Sequence, residues 1–299
     1  MVCFDEVSKF ILSGITLHIP QGKTVGFIGA SGAGKTTFLK LASGLLLPES
    51  GRVYVRGRNP VRGRRAESSR WSVLFADKPY LNGDDTVERN FEMLGVVYRL
   101  SGKAFRRDYQ ELSGRLGFRE FEGETVRNLS LGQRRRAELG AVLLHRPELL
   151  FLDEPAVGLD ETAKLELRTI LAERKETENI TVVISSHDMA EISELCDRIA
   201  YLQEGRLLFY GEREALCKNF LPREELVLKV EDMMPDLEDL PLERYCFDGE
   251  ELRMVYRSDF ITSAEILRFI LQRCSVAEAK VNRPGLEEIV GKAGNSFPQ

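Results

Sequence analysis

The chain has 299 residues, 43% of them hydrophobic and 30% charged, with a formal net charge of −5. That length suits about two domains, and the mix is that of a globular chain able to bury a core. The acidic balance offers no basic field for nucleic acid, and no apolar run approaches the roughly 18 residues of a membrane helix.

The first residues, MVCFDEVSKF, carry early charges and no signal-peptide core. Cys3, Cys196, Cys217, Cys246 and Cys274 are odd in number and form no C-x-x-C pair, so free thiols in a reducing compartment are expected rather than a disulfide frame or zinc site. His18 lies in an apolar stretch and His145 ends a predicted helix shortly before Pro147; both read as structural. The next run, Thr24–Ile28, is short, apolar and bounded by polar residues. It predicts a strand buried on both faces of a parallel sheet.

That strand leads into Gly29-Ala30-Ser31-Gly32-Ala33-Gly34-Lys35-Thr36, a G-x-x-x-x-G-K-[ST] run, and a predicted helix follows from Thr36 and Thr37. Glycines let the backbone bend around phosphate without a side chain in the way. The loop N–H groups and the helix N-terminus suit an anion. Lys35 is expected to reach the β- and γ-phosphates and Thr36 to hold Mg²⁺.

Seven arginines crowd residues 52–70: Arg52, Arg56, Arg58, Arg62, Arg64, Arg65 and Arg70. They read as a solvated hairpin and loop, or as a contact for anionic lipid or an acidic partner. From Thr86 to Arg146 the apolar residues recur at helical spacing, which predicts a mostly helical insertion. Leu149–Leu152 is a second apolar strand and ends in Asp153-Glu154. These acids would position Mg²⁺ and orient the attacking water in phosphoryl transfer. Thr181–Ser185 is a third such strand, followed by His187. Three strand ends thus carry polar chemistry to one sheet edge, where ligands of open parallel sheets bind. Arg198 to Gly211 reads as strand, Glu-Gly turn, strand. After Leu221, ELVLKVED and ELRMVYR alternate like strands, Thr262–Gln272 is helical and VAEAKVNRP is another possible strand.

Leu129-Ser130-Leu131-Gly132-Gln133 resembles the signature of the ABC ATPases, usually LSGGQ, with Leu131 in place of a glycine. Val157-Gly158-Leu159-Asp160 resembles their D-loop, Ser185-Ser186-His187-Asp188 their switch-histidine region, and Phe10 their adenine-stacking aromatic. The resemblance covers roughly residues 1–218. It implies an α/β P-loop NTPase domain at 1–218 with a helical subdomain at about 86–146, and leaves 219–299 as a small α+β accessory domain. It further implies ATP and Mg²⁺ bound at the interface of a head-to-tail homodimer or heterodimer. Phe10, residues 29–37, Thr36 and Asp153 (metal), Glu154, His187 and Lys35 (catalysis) would act from one subunit. Ser130, Gly132 and Gln133 would contact the γ-phosphate of the ATP held by the other, and Asp160 of the D-loop is a further nucleotide-binding candidate.

The family usually has a glutamine where LFADKPYLNGDDTVERN places Asp77. An added charge about 6 Å from a phosphate costs about 3 kcal/mol at an effective dielectric of about 20, while Mg²⁺ attracts it with similar or greater strength, so both signs of effect stay open. LSLGQR and LLHRPELLFLDEP resemble a drug-exporter branch whose membrane permease is a separate chain. The implied place is peripheral, on the cytoplasmic face of the membrane, with Tyr80, Leu81 and Phe91 as candidate docking residues. A soluble ABC ATPase working on nucleic acid or ribosomes, and a regulatory cassette with little turnover, are the alternatives.

Overall fold

The computed structural model describes residues 1–67, 69–212, 215–216, 223–230 and 236–282, with the backbone alone at 64–67 and 190. The chain divides into two compact units, Met1–Gly211 and Glu212–Gln299.

The first unit opens with β1 (Val2–Lys9) and β2 (Leu12–Ile19), which pair antiparallel. β3 (Thr24–Ile28) follows, then helix α1 (Lys35–Ala42), β4 (Ser50–Val55), α2 (Pro60–Glu67) and β5 (Trp71–Leu74). In the arginine-rich stretch Arg52 lies on β4 and a tight Val55–Arg58 turn follows, but Arg62, Arg64 and Arg65 lie on helix α2 where a loop was expected. Helices α3 (Val87–Val97), α4 (Gly102–Arg115) and α5 (Leu131–Leu143) fill the predicted helical stretch. β6 (Leu149–Asp153), α6 (Glu161–Glu178), β7 (Thr181–Ser185), α7 (Met189–Leu195), β8 (Arg198–Gln203) and β9 (Arg206–Gly211) complete the unit.

Two sheets result, with orders β2-β1-β4 and β5-β6-β7-β3-β8-β9. The second is parallel from β5 to β8, and β9 closes it antiparallel through the Glu204-Gly205 turn. Both turn residues have positive φ, 47° and 75°, as a tight hairpin turn of the favoured hand requires. Every residue of β3, β6 and β7 is buried, which is why these strands read as continuous apolar runs rather than alternating ones. Phe38 on α1 joins the two sheets: its ring lies 4.2 Å from both Phe4 of β1 and Phe27 of β3. Burying such a ring contributes roughly 2–3 kcal/mol.

The helical stretch has its own aromatic centre. Phe91 stacks on Phe118 at 4.8 Å and meets Tyr109 edge-on at 5.1 Å. A Cβ on Gly140 of α5 would sit 2.4 Å from the Phe118 ring, so only glycine allows this approach. Asp108 of α4 is buried and accepts from Arg146 Nη2 and Nε at 2.8 and 3.0 Å, and from Arg107 Nε at 2.8 Å.

The second unit is an antiparallel sheet of order β11-β12-β10-β13, built from β10 (Arg223–Val230), β11 (Leu242–Phe247), β12 (Glu251–Arg257) and β13 (Val276–Asn282). Helix α8 (Ser263–Leu271) starts at a Thr262–Glu265 capping box and buries Ile266 and Ile270 against Leu226, Leu228, Met254 and Tyr256.

Burial alone would raise the Asp108 pKa, but the hydrogen-bonded guanidiniums outweigh it and hold the carboxyl below its ordinary value. A depressed folded pKa stabilises above the unfolded value of about 3.9 and loses that contribution as pH falls through the folded one. Asp108→Asn should therefore lower unfolding free energy by about 2 kcal/mol at neutral pH. In urea titrations followed by circular dichroism, its deficit against wild type should shrink below about pH 4.

Candidate active site

β3 stops at Ile28 in the sheet interior, and the chain turns through the glycine-rich loop into α1. Two glycines there are dictated by packing as well as by conformation. Gly29 has φ 146° and a Cβ would lie 2.1 Å from Leu202 O; Gly34 has φ 108° and a Cβ would lie 2.4 Å from Leu12 Cδ2. Gly32, φ 81°, faces open space. Ala33 N donates to Ala30 O at 3.1 Å and closes the loop. No side chain caps α1, so its first N–H groups are left to an incoming anion. Lys35 Nζ folds back onto Gly29 O at 2.7 Å and Ala30 O at 3.2 Å. Burial lowers its pKa, against the opposing pull of Glu154 and Asp153.

Asp153 ends β6 directly beside Ser185 of β7. Its Oδ1 accepts from Ser185 Oγ at 2.5 Å and its Oδ2 from Thr36 Oγ1 at 2.8 Å. This hydroxyl and carboxylate set is hard oxygen throughout and suits a small hard dication that fills its shell with phosphate and water. Glu154 turns left-handed, φ 49°, and its N–H donates to Ser185 O at 3.0 Å. Its carboxylate accepts the His187 N–H at 3.1 Å and lies 3.1 Å from His187 Nε2. Behind the histidine, Ser186 Oγ donates to buried Glu191 at 2.5 Å; burial pushes that carboxyl up to about 7.

An open cavity of about 230 Å³ gathers Ser31, Gly32, Gly34, Lys35, Thr36, Thr37, Asp153, Glu154 and His187, with Ile11 and Ala76 completing its lining. Gly29, Ala30 and Ala33 shape the loop without lining that space. Phe10, the residue before Ile11, is not in that lining; it is 70% exposed at φ 53°, with Lys9 Nζ 4.7 Å from its ring centre.

Other expected residues are not brought to this cavity. Asp77 pairs with Lys40 Nζ at 3.3 Å, and Ala76 lines the cavity in its place. Ser130 and Gln133 form a capping box at the start of α5: Gln133 N donates to Ser130 Oγ at 3.2 Å and Ser130 N to Gln133 Oε1 at 3.0 Å. Gly132 abuts the D-loop, where a Cβ would sit 2.5 Å from Gly158 O. Asp160 caps α6 through Ala163 N at 2.9 Å and pairs with Arg136. The candidate docking residues Leu81 and Phe91 are buried and serve packing, not docking; Tyr80 is half-buried and bonds Tyr98 through its hydroxyl. Sequence reasoning named Ser185 only within the switch-histidine run and missed Ile11 and Arg135. Arg135 has no signal of its own in the sequence; only the structure places this charge among the buried positions of α5.

The ABC transporter family profile matches residues 12–157. The ABC transporter ATP-binding protein NatA of Bacillus subtilis is 32% identical over 218 residues, 72% of this chain and 88% of its own length. The chain belongs to the ABC transporter ATP-binding family. The linearmycin resistance ATP-binding protein LnrL of the same organism is 31% identical, over 70% of this chain and 67% of that one. A solved dimeric ATP-binding cassette, in a post-hydrolysis state with ADP and Pi, superposes with a TM-score of 0.64 at 25% identity, over 71% of this chain and 98% of that one. The chain is thus an ATP-binding, ATP-hydrolysing ABC subunit, with the P-loop NTPase fold its sequence predicts. Among the described residues no helix is long and apolar enough to cross a membrane.

The two kinds of glycine separate experimentally. Gly32→Ala should cost only the left-handed penalty of about 1–2 kcal/mol and show chiefly as weaker ATP binding. Gly29→Ala must displace the β8 backbone as well, and should lower the melting temperature more. Calorimetry with and without ATP distinguishes them.

Proposed function

We propose that this chain is the ATPase subunit of an exporter and works as a head-to-tail dimer with two ATP molecules between its subunits. The observation that carries this reading is a division within one chain. Lys35, Thr36, Asp153, Glu154 and His187 converge on one cavity, while Ser130, Leu131 and Gln133 of the signature run are exposed and the run contributes nothing to its lining. A second copy, turned head to tail, would supply what each site lacks.

In that arrangement the loop N–H groups and Lys35 bind the β- and γ-phosphates, and Phe10 stacks on the adenine. Mg²⁺, held by Thr36 and by Asp153 through its shell, would neutralise charge building on the γ-phosphoryl oxygens. Glu154 orients the attacking water and accepts its proton as the new P–O bond forms and the bond to the ADP oxygen breaks. His187 fixes the Glu154 carboxylate through the two contacts already in place and turns toward the γ-phosphate when ATP enters. Ser130, Gly132, Gln133 and Asp160 serve the ATP of the partner subunit.

The membrane partner would be a separate permease, and the chain would sit peripherally on the cytoplasmic face beneath it. Resistance and transport names among the relatives, LnrL and the bacitracin transport ATP-binding protein BcrA of Bacillus licheniformis, support an exporter. Met93, Val96 and Val97 on α3 are exposed and offer an apolar face to that permease.

Glu154→Gln should lower turnover at least about 100-fold, keep ATP affinity, and accumulate an ATP-bound dimer in size-exclusion chromatography. A Glu154→Gln chain that stays monomeric with saturating ATP would sink the dimer. Lys35→Ala should weaken ATP binding by about 2–3 kcal/mol in calorimetry. Val96→Asp should reduce co-purification with a co-expressed permease while the isolated chain keeps its ATPase rate.

A further inference from the structure

Arg135 is a buried cation, 5% exposed, in the second turn of α5. Its guanidinium donates to four main-chain carbonyls: Glu154 O at 2.7 Å and Asp153 O at 3.0 Å from Nη2, Pro155 O at 3.2 Å from Nε, and Phe75 O at 3.2 Å from Nη1. Nη1 also lies 3.5 Å from Glu138 Oε2, and Glu138 Oε1 accepts from Tyr80 N at 3.1 Å. The four carbonyls come from two segments only. One carries the hydrolytic carboxylate; the other leads from β5 into Ala76 at the cavity wall.

Glu154 sits at φ 49°, a conformation that non-glycine residues adopt only when their surroundings impose it. Its N–H is held by Ser185 O, and its carbonyl, with the one on either side, by Arg135. A planar fork with five donors can hold several carbonyls at once; an ammonium, a point charge with three donors, cannot match that set. The same helix begins with the signature residues. Ser130 caps it, and Gly132 presses on Gly158 O.

We infer that Arg135 is a positioning residue for hydrolysis: it holds Glu154 in its left-handed turn and rigidly links that residue to the helix whose tip meets the partner's nucleotide. This rests on the head-to-tail reading above. Engagement of Ser130 and Gln133 with one ATP would then be transmitted along less than two turns of helix to the carboxylate serving the other. The two sites would be coupled within each chain as well as across the interface.

The test is a set of full-length variants: Arg135→Lys, Arg135→Gln, Ser130→Ala and the double Ser130→Ala, Arg135→Lys. For each, kcat, KM for ATP, equilibrium ATP affinity and melting temperature are measured. Arg135→Gln should lose about ten- to hundred-fold in kcat, with KM and ATP affinity near wild type. Arg135→Lys should recover part of that loss. The double variant should be no slower than the slower single one, because both changes cut the same link. Wild-type kcat in Arg135→Gln, or losses that multiply in the double variant, would overturn the inference. So would Arg135 variants whose only defect is a lower melting temperature. A chain whose turnover ignores Ser130→Ala would instead remove the dimer on which it rests; turnover that needs Ser130 but ignores Arg135 removes this inference alone.

Discussion

Everything at the active site depends on where one carboxylate sits. Asp153 accepts a hydroxyl from Thr36 on one side and from Ser185 on the other, so three separate chain segments are pinned at one point. The parallel sheet makes this possible. β3, β6 and β7 are neighbours that run in one direction, and their C-terminal ends reach the same edge together. At that edge the first strand leads into the glycine-rich loop, the second ends in Asp153 and leads to Glu154, and the third leads to His187. Because these strands are buried on both faces, their spacing is fixed by core packing, and the geometry of the polar edge is inherited from an apolar interior.

This convergence was legible in the sequence because it is written in local patterns. The runs Thr24–Ile28 and Thr181–Ser185 are the strands the structure contains, and Leu149–Leu152 falls one residue short of its own. The glycine-rich loop, the two acids and His187 followed from position at strand ends. Less legible was anything decided by distant partners. β11 carries little signal: LERYCF is an exposed edge strand whose side chains mostly face water, so it has little hydrophobic pattern. Leu81 and Phe91, read as docking residues, are buried, and Phe91 stacks on Phe118. The place of Asp77 depends on Lys40, a partner no local pattern announces.

Arg135 shows the same limit more sharply. In LGQRRR the three arginines are equivalent as text, and charge alone predicts three solvated side chains. Helical rotation separates them. Arg136 pairs with Asp160 at the surface, while Arg135 faces inward onto carbonyls at and just past the end of β6. Burial lowers its pKa, but a guanidinium starts so high that it stays charged, and four carbonyls with Glu138 replace its lost hydration.

The signature residues raise a different question, since their side chains are already used as helix caps. Capping does not exhaust them. Ser130 Oγ accepts from Gln133 N, which leaves its hydroxyl hydrogen to donate, and Gln133 spends its Oε1 on Ser130 N, which leaves its amide hydrogens. The cap consumes acceptors and spares donors. It also stands at the N-terminus of a 13-residue helix, whose dipole favours negative charge. A helix start that offers donors and a positive potential, with no acidic residue in its first turn, is suited to a phosphate brought by another molecule. The local rule that starts α5 thus prepares the surface that a second subunit's nucleotide would complete.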